Sequence, residues 1–301
     1  MSGAARASGA QGGRLFVVAT PIGNLGDVTI RALDVLRDVP LIAAEDTRLA
    51  KRLLDRHKIP TRTISYHARS GPARAEALLA HLRGGADLAL VTDAGTPGVS
   101  DPGDALVSSW AAEGGQVVPL PGASAVLAAV SAAGLAGPRW AFEGFLPRSG
   151  RARRERLNAI AGDGRGAVIF EAVNRLAGTL VDLAAACGAD RPAAVCRELT
   201  KLHEQIERAP LGELAAMAAD GRVAARGEAV IVVGWFAGAR GPMAPADRHH
   251  ADGAEEAARE SVEQLVASGV ARGDAARRVA ASSGIPRRRL YGSTSAGDGE
   301  A

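Results

Sequence analysis

Along the chain, short apolar runs alternate with stretches whose apolar residues recur at helical spacing. Leu15 to Ala19 reads as a strand, Thr29 to Arg37 as a helix, Leu41 to Ala44 as a strand and Thr47 to His57 as a helix. The rhythm repeats through a short strand at Thr63 to Tyr66, a helix over Pro72 to Arg83, a strand at Asp87 to Val91, a helix over Gly103 to Glu113 and a strand at Gln116 to Leu120. Strands joined through helices pair in parallel, so this pattern predicts a mostly parallel sheet covered by helices on both faces.

A pause at Ala136-Gly137-Pro138 precedes a second set. Strands are expected at Trp140 to Phe145, Ala167 to Phe170, Ala193 to Arg197 and Ala229 to Val233, with helices from Arg151, over Leu176 to Ala186 and over Leu211 to Ala219. The fold class is α/β, and two α/β domains, over 14–137 and 138–236, are the simplest account. A Gly- and Pro-bearing linker over 237–253 leads to a small helical module over 254–293, with segments at Ala254 to Ser268, Asp274 to Ser282 and Pro286 to Tyr291. Its outline is of the helix-turn-helix type, which serves either nucleic-acid docking or plain packing. Residues 1–13 and 294–301 read as a disordered lead-in and tail.

Composition narrows the classes. The chain has 301 residues, 47% of them apolar, enough for a substantial core. The opening MSGAARASGAQGG lacks the apolar centre of a secretory signal, and no apolar run approaches the ~18 residues that span a bilayer. A soluble, cytoplasmic protein with no membrane partner is expected. Cys187 and Cys196 are read as reduced thiols, and the scattered histidines show no zinc-ligand spacing, so no metal is expected. Net charge is only +3, yet the arginines are clumped at Arg148, Arg151, Arg153, Arg154 and Arg156, and again at Arg287, Arg288 and Arg289. Such clusters are solvated faces or the footprint of a phosphate-bearing partner.

Neither a G-x-x-x-x-G-K-[ST] loop nor a G-x-G-x-x-G turn with its acidic partner is present, which argues against simple ATPase and dinucleotide-dehydrogenase chemistry. In their place stand strand-end loops: Thr20 to Asn24, Glu45 to Arg48, Thr92 to Gly103 and Pro121 to Ser124. Any one could be a tight turn. On a parallel sheet all four share one edge and must surround one cleft. Glycines in TDAGTPGVSDPG admit a ligand close to the main chain and prolines stiffen the loop, which suits an adenosine-bearing ligand read through backbone groups.

Six stretches carry a resemblance: FVVATPIGNL from Phe16, AAEDTR from Ala43, ISYH from Ile64, DAGTPGVSDPG from Asp93, FEGFLPR from Phe142 and RELTKLHE from Arg197. Together, over roughly residues 14 to 236, they resemble the ribosomal RNA small subunit methyltransferase I family, within the tetrapyrrole (corrin/porphyrin) methylase superfamily. The carboxyl-terminal module resembles the helical appendage of many members. Two departures stand out. Glu171-Ala172-Val173-Asn174-Arg175 replaces the usual Glu-Ser-Pro-His-Arg, and Ala123 replaces a common proline.

The resemblance implies a two-domain class III methyltransferase, usually a homodimer, that binds S-adenosylmethionine between its domains. It implies methylation of the ribose 2′-hydroxyl of a cytidine in the decoding region of 16S ribosomal RNA, with the RNA met within the small ribosomal subunit. Two alternatives stay open at this stage: a superfamily methyltransferase acting on a small tetrapyrrole-like molecule, and a non-catalytic ribosome assembly factor.

Under that reading the donor residues are Pro21, Asp93, Ala94, Gly95, Thr96, Val99, Ser100, Asp101 and Ser124, with Phe170 and Arg197 closing from the second domain. Asp101 is alternatively a turn or helix-cap residue beside Pro102. The reacting-side candidates are Glu45, Asp46, Arg48, His67 and Lys201. Glu45 and Asp46 could instead serve the start of a helix, Arg48 a surface ion pair, and His67 a structural role. Lys201 would act as a base if its pKa were lowered. Tyr66, Arg148, Arg151, Arg153, Arg154, Arg287 and Arg288 are the RNA-contact candidates.

Overall fold

In the computed structural model, which describes residues 12–224, 226–235, 258–283 and 290, the first sheet is entirely parallel. Its strands β1 (Arg14–Val18), β2 (Leu41–Ala44), β3 (Thr63–Ser65), β4 (Leu88–Val91) and β5 (Gln116–Leu120) lie in the order β3-β2-β4-β1-β5. Helices α1 (Ile30–Asp38), α2 (Thr47–Arg56), α3 (Pro72–Arg83) and α4 (Asp104–Ala112) connect them. Alternate strand residues serve opposite faces. Val18, Ile42 and Val91 pack with Leu36 and Leu53, whereas Leu15, Ala43 and Leu90 pack with Leu78, Leu82 and Trp110. All four residues of β4 are buried, as a strand between two helix layers requires.

The second sheet departs from that plan. Its strands β6 (Trp140–Phe145), β7 (Gly166–Ala172), β8 (Pro192–Arg197), β9 (Gln205–Pro210) and β10 (Glu228–Val233) run β6-β7-β10-β8-β9. β6 pairs with β7 in parallel and every other pairing is antiparallel. The cause is local: β8 returns as β9 through the short loop 198–204, with no helix between them. Neither β9 nor helix α5 (Ala125–Ala133) is predicted from the pattern.

One face of this sheet carries α6 (Gly150–Gly162), α7 (Val173–Cys187) and α8 (Leu211–Ala219), with Leu157, Leu180 and Leu214 closing over Ile169 and Ile231. Its other face receives α5, whose Ala129 and Ala133 pack with Val168, Cys196 and Val230. Helix α5 therefore ties the end of the first sheet to the second, and both sheets lie within one compact unit, Met1–Ala239. Cys187 and Cys196 are free thiols.

The second unit has its own small core. A helix over 258–267, α9, and α10 (Arg272–Ser283) enclose Ala258, Val262, Ala275, Ala276, Val279 and Leu290, and the Arg272 guanidinium donates to both oxygens of Glu263. Arg287, Arg288, Arg289 and most of the third expected segment lie outside the described residues, as do residues 1–11 and the linker. Among the described residues no helix is long and apolar enough to cross a membrane.

Candidate functional site

Three strand-end loops are stitched together at the carboxyl edge of the first sheet. Thr20 and Gly95 exchange main-chain hydrogen bonds of 2.8 and 2.9 Å, and the buried Thr20 hydroxyl donates to the Thr92 carbonyl at 3.1 Å. Gly95 sits at φ +82°, where a side chain is strained, so this bridge favours glycine. The Thr96 hydroxyl donates to the Ala123 carbonyl at 3.2 Å and secures the loop after β5. Ser124 then caps α5, accepting from the Leu127 N–H.

These loops and the facing second sheet line a cavity of roughly 190 Å³. Of the candidate donor residues, Ala94 to Thr96, Val99 to Asp101, Ser124 and Phe170 line it. Pro21 does not, although its neighbour Ile22 does. Asp93 and Arg197 are absent from the lining for structural reasons. The Asp93 carboxylate accepts the Asp46 N–H at 2.9 Å, and the buried Arg197 spends its guanidinium on the Gln205 side chain and the carbonyls of Arg226 and His203. Sequence reasoning missed Cys196, Leu199 and Val230, which also line the cavity, because apolar residues carry no chemical mark. It also missed Phe145 and Glu228.

Carboxylates gather at this cavity. Burial, reinforced by Glu45, lifts Asp101 to about 6. The residue before it, Ser100, holds a left-handed φ of 65°, a strained setting typical of ligand sites. Helix α4 is capped at Gly103, so Asp101 is not its cap. Glu45 is also pushed up, by burial, and accepts the Asp93 N–H at 3.3 Å. An apolar wall with a half-buried carboxylate, hydroxyls and a helix start suits a ligand bearing a planar ring, a cationic centre and a carboxylate. The residues present therefore fit the donor that the resemblance implies.

The other candidates separate by role. Asp46 caps α2 and is held down to about 2 by Arg48, whose guanidinium reaches it at 2.6 Å from an 88% exposed side chain. Exposed His67 accepts the Arg69 N–H at its Nδ1, 3.1 Å away. Tyr66 is buried among Leu78, Leu79 and Leu106, a core position and not a surface for RNA. Lys201 lines the cavity, donating to Glu198 at 2.9 Å and Glu228 at 3.0 Å. Burial opposes its charge, yet these carboxylates raise its pKa, so the condition for a basic role fails and Lys201 is a held cation. Gly23 lies so close to the Lys201 stem and Thr200 that a side chain there would collide.

The arginine cluster also divides. Arg153 is anchored within the fold, on Asp182, Thr179 and the Pro147 carbonyl, so it is not a free RNA contact. Arg151 pairs with Glu155 on the exposed face of α6, and Arg148 and Arg154 are exposed. In the altered stretch, the buried Glu171 carboxylate accepts from Thr179 at 2.6 Å, from Arg175 at 3.1 Å and from the Ala172 N–H at 2.9 Å. Arg175 also reaches the Leu146 carbonyl. Val173 packs on the core and Asn174 is exposed, so the altered residues leave this knot intact.

Comparison with known proteins agrees with this geometry. The profile of the tetrapyrrole (corrin/porphyrin) methylases matches residues 14–215. A Synechocystis sp. protein named ribosomal RNA small subunit methyltransferase I is 44% identical, over 93% of this chain and 96% of its own. Its Bacillus subtilis namesake is 36% identical over 93% of both. Among solved structures, a cobalt precorrin-4 methyltransferase (TM-score 0.55, 18% identity) covers 74% of this chain and 95% of its own. A Thermus thermophilus uroporphyrin-III C-methyltransferase complexed with S-adenosyl homocysteine (TM-score 0.53, 21% identity) covers 74% and 97%. These two share the fold.

Proposed function

This chain belongs to the tetrapyrrole (corrin/porphyrin) methylase family and, within it, groups with the ribosomal RNA small subunit methyltransferase I proteins, and from that we propose that it methylates small-subunit ribosomal RNA with S-adenosylmethionine as donor. The acceptor is the ribose 2′-hydroxyl of a cytidine in the decoding region of 16S RNA, met in the small subunit, and the enzyme works in the cytoplasm as a homodimer. Residues 14–137 and 138–236 act as the two halves of the donor site. The observation that carries the reading is the cavity itself, where the rigid Ala94 to Asp101 loop faces Phe170 and Val230 of the second sheet.

Bound there, the donor supplies an electrophilic methyl group on a sulfonium. The Asp101 carboxylate attracts that cationic ligand, the start of α5 at Ser124 attracts its carboxylate, and Phe170 offers a ring face. Lys201, kept charged by Glu198 and Glu228, stabilises negative charge growing on the attacking oxygen. Glu45, whose pKa burial raises, and His67 are assigned as the candidates to accept the hydroxyl proton. Arg148, Arg151 and Arg154 contact phosphates.

The test is direct. Purified protein and methyl-labelled donor are mixed with small subunits lacking their natural methyl groups, and the label is mapped. Label on the 2′-oxygen of one decoding-region cytidine is expected, whereas donor binding without RNA label would overturn the acceptor assignment.

A further inference from the structure

Three of the five phenylalanines of the chain meet at one place, and the backbone is bent to bring them there. Phe142 and Phe145 are three apart on β6, so plain strand alternation would point them to opposite faces. The β6–β7 register slips between Phe142 and Gly144, and Gly144 takes φ +62°. A bulge of this kind re-aims the side chains beyond it. As a result both rings meet Phe170 edge to face, with centroids 4.9 Å (Phe142) and 5.5 Å (Phe145) away. Glu143, at the bulge, is tied to Arg156 of α6 at 3.1 Å, which holds the distortion.

Phe142 and Phe170 belong to the core between α5 and the second sheet, but Phe145 remains 58% exposed at the cavity. It lies on an edge strand, so no further strand of this sheet covers it. Core filling does not explain a bulge that sets a ring against Phe170 yet leaves it mostly exposed. Three residues on, exposed Arg148 begins the basic segment that continues into α6. An open aromatic face, backed by a second ring and adjoining cations, is the arrangement by which proteins hold an unstacked nucleobase on a charged backbone.

We propose that Phe145 is the stacking platform for the base of the target nucleotide, positioning its ribose over the methyl-donor cavity. This rests on the RNA-methylation reading above. Phe145 is a positioning residue that touches substrate, and takes no part in moving protons.

The experiment compares Phe145→Ala, Phe145→Leu and Phe145→Trp with the wild type, measuring label transfer to unmethylated small subunits and, separately, donor affinity by calorimetry without RNA. Loss of one base–aromatic stack lowers kcat/KM about five- to hundredfold in the alanine variant. The leucine variant falls comparably, the tryptophan variant retains activity, and donor affinity is unchanged in all three. Wild-type activity in the alanine or leucine variant would overturn the proposal. So would a parallel fall in donor affinity, which would give the ring to the adenine of the donor. If the wild type labels no RNA, the acceptor assignment itself fails, a result visible before any variant is made.

Discussion

The donor role proposed for Asp101 predicts binding that depends on pH in a window where ordinary carboxylates are silent. Its carboxyl is raised to about 6 by burial and by Glu45, so it is the acidic side of neutrality that matters. A raised carboxylate takes its proton early as pH falls, and the neutral acid no longer attracts a cationic ligand. With a midpoint near 6, about nine-tenths of Asp101 is ionised at pH 7 and about one-tenth at pH 5. If the donor needs the ionised form, its Kd weakens about tenfold from pH 7 to pH 5, a change of ~1.4 kcal/mol, and is level above neutrality. Calorimetry across that range measures it directly. Asp101→Asn serves as the control, because any titration of the donor or of Glu45 persists in it; the variant binds weakly at pH 7 and loses most of the slope. A wild-type Kd that is flat from pH 7 to pH 5, or an asparagine variant with the full slope, would refute the assignment.

Other perturbations separate the parts of the site. Gly95→Val forces a β-branched residue to φ +82° at the Thr20 bridge; donor affinity should fall at least tenfold while circular dichroism shows the fold retained. Arg154→Ala and Arg153→Ala should diverge: the first lowers kcat/KM for subunits and reduces its salt dependence with stability unchanged, and the second lowers the melting temperature. Glu171→Ala strands Arg175 and Thr179. Because Arg175 remains partly exposed, the loss is about 2–4 kcal/mol, below the full cost of breaking a buried pair, and is read by chemical denaturation. A loss under about 1 kcal/mol would show that solvent replaces those bonds.

Most of the first sheet was legible because its strands and helices differ in period, and the structure moves their ends by only a residue or so. Helix α5 was not. Its sequence, AVLAAVSAA, is apolar nearly all round although only Val126, Ala129 and Ala133 are buried and Leu127 is exposed, so no amphipathic period marks it. The legible signals were at its ends, Ser124 as N-cap and Gly134 in the left-handed conformation. β9 was hidden for the opposite reason: QIERAP is a polar edge strand that closes on a proline. The glycine-rich loop was readable as a cavity wall from residue types alone. Of the opposing wall Phe170 and Lys201 were named from the sequence but Cys196 and Val230 were not, since those two acquire their place only through the antiparallel β8–β10 register.

The arginine cluster shows where charge counting needs geometry. Arg151, Arg153, Arg154 and Arg156 are equivalent as charges, but α6 sorts them by angle. Arg153 shares its side of the helix with Leu157 and Ile160, at spacings of four and seven, and those two residues are buried in the core. It is therefore drawn inward to Asp182, while Arg151 and Arg154 are left on the solvent side. That division was available from helical spacing once the buried stripe was identified, without any coordinate. It leaves the protein with a cavity lined by the carboxylates of Asp101 and Glu228 and by Lys201, beside a basic exposed face at Arg148 and Arg154. On the proposed function, a cationic donor and a polyanionic acceptor are drawn to neighbouring surfaces of different charge, so that neither competes for the other's place.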